Sequence, residues 1–282
     1  MEFWKGLLAF CEAEMGETSS YGWFHFLCVG LAIAFTVFMC ICFRDSSDKT
    51  LRRISLIIFV VLVLFDIYKQ ITYDWVDFDA EVGAFVWDYD WKSFPFQLCS
   101  TPHYVLPFII WCKDGKLRDA CIAYMTFFSL IGGAAVLVYP ESCLTVYVGV
   151  NIQTMLHHSM QVALGVFYAV HQRRKYHDVR YYVRASYVFF TLLSIALLLN
   201  VIVNETFIAK GMDEEFNMFY ISHYHASNIP VFNDMFGSVP YPLYLGTYIV
   251  ALLLGGFLIY FGLRTVFSRI EKRGIAKEEN KT

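Results

Sequence analysis

The sequence predicts an all-α membrane protein: a seven-transmembrane-helix bundle with its N-terminus outside and its C-terminus in the cytoplasm. Three observations carry this. Of the 282 residues, 57% are hydrophobic and only 17% charged, with a mean hydropathy of +0.49, outside the range of soluble domains. Seven stretches approach the run of about 20 apolar residues that a helix needs to cross a bilayer. Finally, 18 of the 22 lysines and arginines fall in alternate inter-span segments, which the positive-inside rule assigns to the cytoplasm. Such a composition excludes a water-soluble enzyme and a nucleic-acid partner; the net charge of −3 is small.

Residues 1–20 form an N-terminal segment in which Phe3, Trp4, Leu7, Leu8 and Cys11 share one helical face, as in a helix lying in the outer interface or a frayed lead-in to the first span. No basic stretch followed by a cleavable apolar core opens the chain, so no signal peptide is expected. The seven spans occupy residues 21–43, 54–73, 96–112, 120–138, 147–170, 187–202 and 241–263, within one membrane domain of residues 21–263. Basic clusters follow the first (Arg44 to Arg53), third (Lys113 to Arg118), fifth (Arg173 to Arg184) and seventh spans. The last of these is a charged cytoplasmic tail, residues 264–282.

On the outer side, residues 75–91 carry Asp77, Asp79, Glu81, Asp88 and Asp90 among aromatics. Without a regular ligand spacing they read as a solvated interfacial loop rather than a metal site. Residues 205–240 form the longest loop, and loops of that length are often functional. An Asn204-Glu-Thr206 sequon precedes it, relevant only in a pathway that glycosylates. Six of the eight cysteines lie in or beside spans and read as small hydrophobes; only Cys11 and Cys143 are outside, where a bridge between them is an option.

Polar residues at depth are the informative ones, because hydrocarbon tolerates them only toward a bundle interior or cavity. Cys99 precedes the cytoplasmic border at Lys113 by 14 residues, His157 precedes His171 by 14, and Asp66 follows Arg53 by 13. At about 1.5 Å per residue all three lie about 20 Å above that border. In a core about 30 Å thick this is one layer, about 9 Å below the outer face and close to the ester linkages of the outer leaflet.

In Pro95-Phe-Gln-Leu-Cys-Ser-Thr-Pro-His103, Pro102 fits the first turn of a helix that Ser100 or Thr101 caps. Cys99 then meets the helix N-terminus, where backbone N–H groups favour a thiolate and stabilise an oxyanion; if Pro102 instead kinks a continuous helix, Cys99 is a packed thiol. In the fifth span, Gln153, His157 and Gln161 share a face, with His158 and Asn151 on the adjacent one. Such histidines serve as a general base, a metal ligand or an interhelical hydrogen bond. Asp66 orients a histidine or pairs with Lys69.

Cys99 within FPFQLCSTPHYVLP resembles the PLHLC-type third-span motif of the YwaF-like integral membrane proteins. LHHSMQV resembles their fifth-span histidine motif, and FNDMFGSVPYPLYLGTYIV, with Asp234, Gly237, Pro240 and Pro242, resembles the segment that enters their last span. WFHF, with His25, is also similar. That family is related to transmembrane protein 164, described as a cysteine-dependent phospholipid acyltransferase, and more distantly to membrane hydrolases with a Thr/His pair. The resemblance implies Cys99 as nucleophile and His157 or His158 as its histidine. Gln97 departs from the motif's histidine and cannot carry a proton at neutral pH.

The combined expectation is a Cys/His acyltransferase or lipid esterase of the plasma membrane, acting on phospholipid or acyl-lipid esters in the outer half of the bilayer and requiring no cofactor or metal. Cys99, His157, His158 and Asp66 are its catalytic candidates; Gln97, Ser100, His103, Asn151, Gln153, Gln161 and His25 are candidates to bind substrate. Backbone N–H groups near Ser100 and Thr101, with the Gln97 side chain, would hold the oxyanion. His157 is expected to be the base, held by Gln153 and Gln161, and His158 an interhelical hydrogen-bonder. A small-molecule transporter with a binding site at a broken helix is the alternative; a non-catalytic structural membrane protein is a third.

Overall fold

A computed structural model describes residues 6, 10, 13–16, 20–71, 76–79, 82–87, 89–141 and 143–279, with side chains as far as residue 273 except at 76–79 and 87. The molecule is built mainly of helices. The expected N-terminal helical face and Cys11, with its bridge to Cys143, lie outside the described residues. Residues 13–16 are extended, and there Glu14 pairs with Tyr147.

Helix α1 (Trp23–Phe43) has no charged residue and buries only Phe24, His25, Ala32 and Met39. His25, Ala32 and Met39 recur every seven residues, a narrow seam that leaves the rest of the helix to lipid. Helix α2 (Asp48–Lys69) starts at Ser47, whose hydroxyl accepts from the Thr50 N–H, with Asp48 at its positive end and Lys69 at its negative end. Its buried stripe is Leu51, Ser55, Ile58 and Leu62.

Between α2 and the next helix the expected loop contains a hairpin, β1 (Val76–Asp79) paired antiparallel with β2 (Ala84–Trp87). This departs from an all-helical chain. Val76, Phe78, Phe85 and Trp87 supply β-forming side chains, and Gly83, at φ 69°, supplies a turn residue beside β2.

Helix α3 (Pro102–Trp111) has only 10 residues, a rise of about 15 Å. Its C-terminal end is held by two arginines. Arg52 donates to the carbonyls of Ile110 and Cys112 and to Asp48 and Asp114, while buried Arg118 donates to the Ile109 carbonyl and to the same two carboxylates. These cations meet the negative end of the helix and satisfy its unpaired carbonyls.

Helix α4 (Lys116–Tyr124) continues through a π-helical turn (Met125–Ser129) into α5 (Leu130–Val138). Every residue of that turn is buried. Helix α6 (Val148–His171) is the central helix and packs on α1, α2 and α5. Gly133 lets α5 approach it, since a Cβ there would lie 3.1 Å from the His158 carbonyl and from Gln161 Cγ. Helix α7 (Arg180–Lys210) ends at Gly211 in the left-handed conformation (φ 65°), with Gly211 and Met212 N–H groups satisfying its last carbonyls. A short α8 (Pro230–Met235) and the long α9 (Tyr241–Glu279) complete the chain.

Four helices are long and apolar enough to cross a membrane: Trp23–Phe43, Lys116–Val138, Arg180–Lys210 and Tyr241–Arg273. The other three expected spans differ for physical reasons. Helix α3 is too short, α2 carries charges at both ends, and α6 carries a polar stripe and buries more than half its length inside the bundle. The chain is therefore a predominantly helical membrane protein.

Candidate functional site

Local structure around Cys99 follows from two prolines. Leu98–Ser100 form a 3-10 turn, closed by the Ser100 N–H donating to the Gln97 carbonyl at 2.9 Å, and α3 begins at Pro102 as the sequence predicts. The expected side-chain cap does not form. Thr101 is itself helical, and its hydroxyl donates back to the Leu98 carbonyl at 2.7 Å while accepting from Tyr124. Pro102 has no N–H to offer the Cys99 carbonyl, so that acceptor needs another donor. His157 supplies it: Nε2–H donates to the Cys99 carbonyl at 2.9 Å.

That bond fixes the tautomer of His157, leaving Nδ1 as a lone-pair acceptor, buried and without a protein partner. His158 is fixed the other way round. Its Nδ1–H donates to the Thr154 carbonyl one turn back at 2.6 Å, and Nε2 is the buried, unpartnered acceptor. Both reasons for ranking the histidines from the sequence are thus replaced. Gln153 and Gln161 do not hold His157: the Thr154 hydroxyl donates to Gln153, and Gln161 donates to the Ser129 carbonyl and hydroxyl. The His158 bond is intrahelical, not interhelical.

Cys99, Ser100, His157, His158, Gln153, Gln97 and Asp66 line one cavity of about 290 Å³. The remaining candidates stand elsewhere. His103 lies behind His157, its ring tilted 37° at a centroid separation of 5.4 Å, with its Nδ1–H donating to the Ser100 carbonyl. Gln161 is at the back of the Cys99 turn, both of them close to Gly132. Asn151 organises the start of α6, accepting from the Thr145 N–H and donating to the Thr145 carbonyl, both at 2.7 Å. His25 ties α1 to α5 by donating Nε2–H to the Leu137 carbonyl at 2.9 Å and accepting from the Tyr21 N–H.

The donors expected for an oxyanion are already committed. The Ser100 N–H is taken by the Gln97 carbonyl, and Gln97 Nε2 donates to the Asn217 carbonyl at 2.9 Å. What Gln97 presents instead is Oε1, buried and unpartnered.

Sequence reasoning missed the cavity wall supplied by the long loop, namely Tyr220 and Asn228, and also Cys143 and Thr154. The only sequence signal for the first two was loop length. Phe219 and Tyr220 both have positive φ (58° and 56°), a strained arrangement for aromatic residues that costs of order 1–3 kcal/mol each. It is held from outside. Tyr244 donates to the Tyr220 carbonyl at 2.6 Å and Tyr241 to that of Ile221 at 2.8 Å, while Asn200 and Asn204 of α7 bind the main chain at Met218 and Phe216. Asn204 therefore cannot act as a glycan acceptor: it is buried and its nitrogen is hydrogen-bonded to two carbonyls.

Beside the cavity's outer opening, Lys92 pairs with Glu215 at 3.0 Å, and the carboxylate raises its ammonium above the ordinary lysine range. No curated protein and no solved structure matches the chain. The TMEM164 family model matches residues 20–260, most of the sequence, and the protein belongs to that family.

Proposed function

We propose that this protein is a Cys/His-dependent acyltransferase or lipid esterase, built as a seven-span bundle of the plasma membrane with its N-terminus outside, that acts on phospholipid acyl esters in the outer half of the bilayer. One observation carries the reading: a cysteine and two histidines share a single cavity, and each histidine keeps one unpartnered nitrogen there. The shared depth of Cys99, His157 and Asp66 supports it, as does the family.

The hydrogen bonds favour His158 as the base. The two nitrogens of an imidazole lie on opposite edges of the ring. A ring that gives Nε2–H to the Cys99 carbonyl turns Nδ1 away from the Cys99 residue, so His157 positions the nucleophile's turn. His158, anchored through Nδ1 with Nε2 unpartnered, accepts the thiol proton. The thiolate attacks the ester carbonyl, and the C–O bond breaks as His158 returns the proton to the leaving alcohol. A second hydroxyl, of lipid or water, then takes the acyl group from the thioester.

The test is acylation itself. Detergent-purified protein incubated with a phospholipid bearing a fluorescent acyl chain is expected to carry hydroxylamine-sensitive label, and Cys99→Ala is expected to carry none. Label that persists in Cys99→Ala, or a wild-type protein that stays unlabelled with intact lipid bound, refutes the reading.

A further inference from the structure

A lipid ester reaches a nucleophile only if something registers the rest of the molecule, and the cavity contains one residue placed to do so. Lys69 is in the last turn of α2, half-buried, and lines the same cavity as Cys99, His157 and His158. Its charge is felt at all three and at Asp66. It follows Asp66 by three residues on an outward-running helix, which is about 4.5 Å nearer the outer face. In the outer leaflet the phosphate level also lies just outside the ester carbonyls, a few bonds away along the glycerol. Lysine reaches such a level readily, because its flexible stem lies along apolar surface while the ammonium rises to the polar boundary.

We propose that Lys69 is the phosphate receptor of the cavity, holding the phosphodiester of the lipid whose ester carbonyl is presented to Cys99. The inference rests on the lipid-ester reading above and names the residue that sets its substrate class. The other cation in the wall, Lys92, is engaged by Glu215. Asp66 and Asp90 share the wall as well, so a free phosphate dianion meets two carboxylates, whereas a singly charged phosphodiester is carried in by its acyl chains. Substrate phosphate and thiol are thereby separated by the same axial step as Lys69 and the Cys99 layer.

The test measures binding in a Cys99→Ala background, which removes turnover, using detergent-purified full-length protein. The probes are dihexanoylphosphatidylcholine, dihexanoylglycerol and inorganic phosphate, read by calorimetry. The phospholipid is expected to bind about ten-fold more tightly than dihexanoylglycerol, the low end for a charge-assisted bond at a half-buried site. Lys69→Met is expected to erase that advantage without weakening dihexanoylglycerol, and Lys69→Arg to preserve most of it. Equal affinities, or an advantage that survives Lys69→Met, overturn the proposal. So does Lys69-dependent binding of inorganic phosphate that displaces the phospholipid, which makes free phosphate the ligand. The acylation assay is run alongside on protein with Cys99 intact: failure of acylation with Lys69-dependent binding intact refutes the chemistry alone, and acylation without that dependence refutes the receptor alone.

Discussion

Exchanging the two histidines separates a proton acceptor from a positioning residue. His158→Ala removes the nitrogen assigned as base, and general-base catalysis contributes about 10²–10⁴ in rate. Its structural cost is small. The Thr154 carbonyl that loses the imidazole N–H lies inside α6, where the residue four ahead continues the backbone ladder, so about 1 kcal/mol is at stake. His157→Ala is the reverse case. The Cys99 carbonyl it releases faces a proline three residues on and is left as a buried acceptor, at about 1–3 kcal/mol. Turnover should fall as well, through displacement of the Cys99 turn, but by less than in His158→Ala. Both variants are purified in the same detergent and assayed for melting and for turnover of a fluorescent phospholipid. Larger rate loss in His157→Ala, with His158→Ala chiefly destabilised, refutes the tautomer argument and restores the ranking that helical faces alone suggest.

The remaining expectations concern the nucleophile and the scaffold. Cys99→Ser should nearly abolish acyl transfer while leaving the melting temperature unchanged, because a hydroxyl is far less ionised than a thiol at neutral pH; equal activity in the acylation assay excludes a thiolate. Gly133→Ala should cost roughly 1–3 kcal/mol by overpacking, since its Cβ would press on the His158 carbonyl and Gln161, both on α6; a wild-type melting curve contradicts the close approach. Asn204→Ala should destabilise by about 2 kcal/mol through the unpaired Phe216 carbonyl and its own lost bonds, and intact mass of protein from a glycosylating host should show no glycan at this site. Asp48 gives a pH prediction. Burial opposes its ionisation, but hydrogen bonds from Arg52 and Arg118 outweigh burial and hold its carboxyl below the ordinary 3.8. Its contribution is therefore complete above that value and lost as pH falls through the lowered one. Melting temperature should drop more steeply below about pH 4 in wild type than in Asp48→Asn.

How much of this was legible in the sequence depends on whether a residue's partner is local. Pro102 announces the start of α3 by its own covalent geometry, and the polar face of α6 announces a buried environment by periodicity. Depth arithmetic likewise needs only helix rise, and it grouped Asp66 and Cys99 with His157, which share the cavity. Ring orientation was not legible, because it is decided by which carbonyl lacks a donor. The Cys99 carbonyl lacks one only because Pro102 follows three residues later, a link that helical-wheel reasoning on α6 cannot contain. Asn151 and His25 sit on plausible polar faces, yet near a helix N-terminus a polar side chain is first claimed by local backbone, and both are. In the hairpin, acidic composition masked a strand pattern that Gly83 and the aromatics carried.

The polar inventory of the cavity bears on what the second substrate must bring. Gln97 Oε1, His157 Nδ1 and His158 Nε2 are all acceptors without partners, and the obvious donors nearby, the Ser100 N–H and Gln97 Nε2, are spent on main-chain carbonyls. Each buried acceptor left unpaired costs about 1–3 kcal/mol. The Cys99 thiol supplies one donor, which on the proposed mechanism is consumed when His158 takes its proton. An attacking hydroxyl supplies another at the moment the thioester stands ready, so the group that completes the reaction is also the one that relieves the site. A carbonyl or ether oxygen brings no such relief. The cavity thus favours hydroxyl-bearing acceptors for the same reason that it strains its own wall, and the Phe219–Tyr220 strain is borne by bonds from α7 and α9 that lie outside the reacting groups.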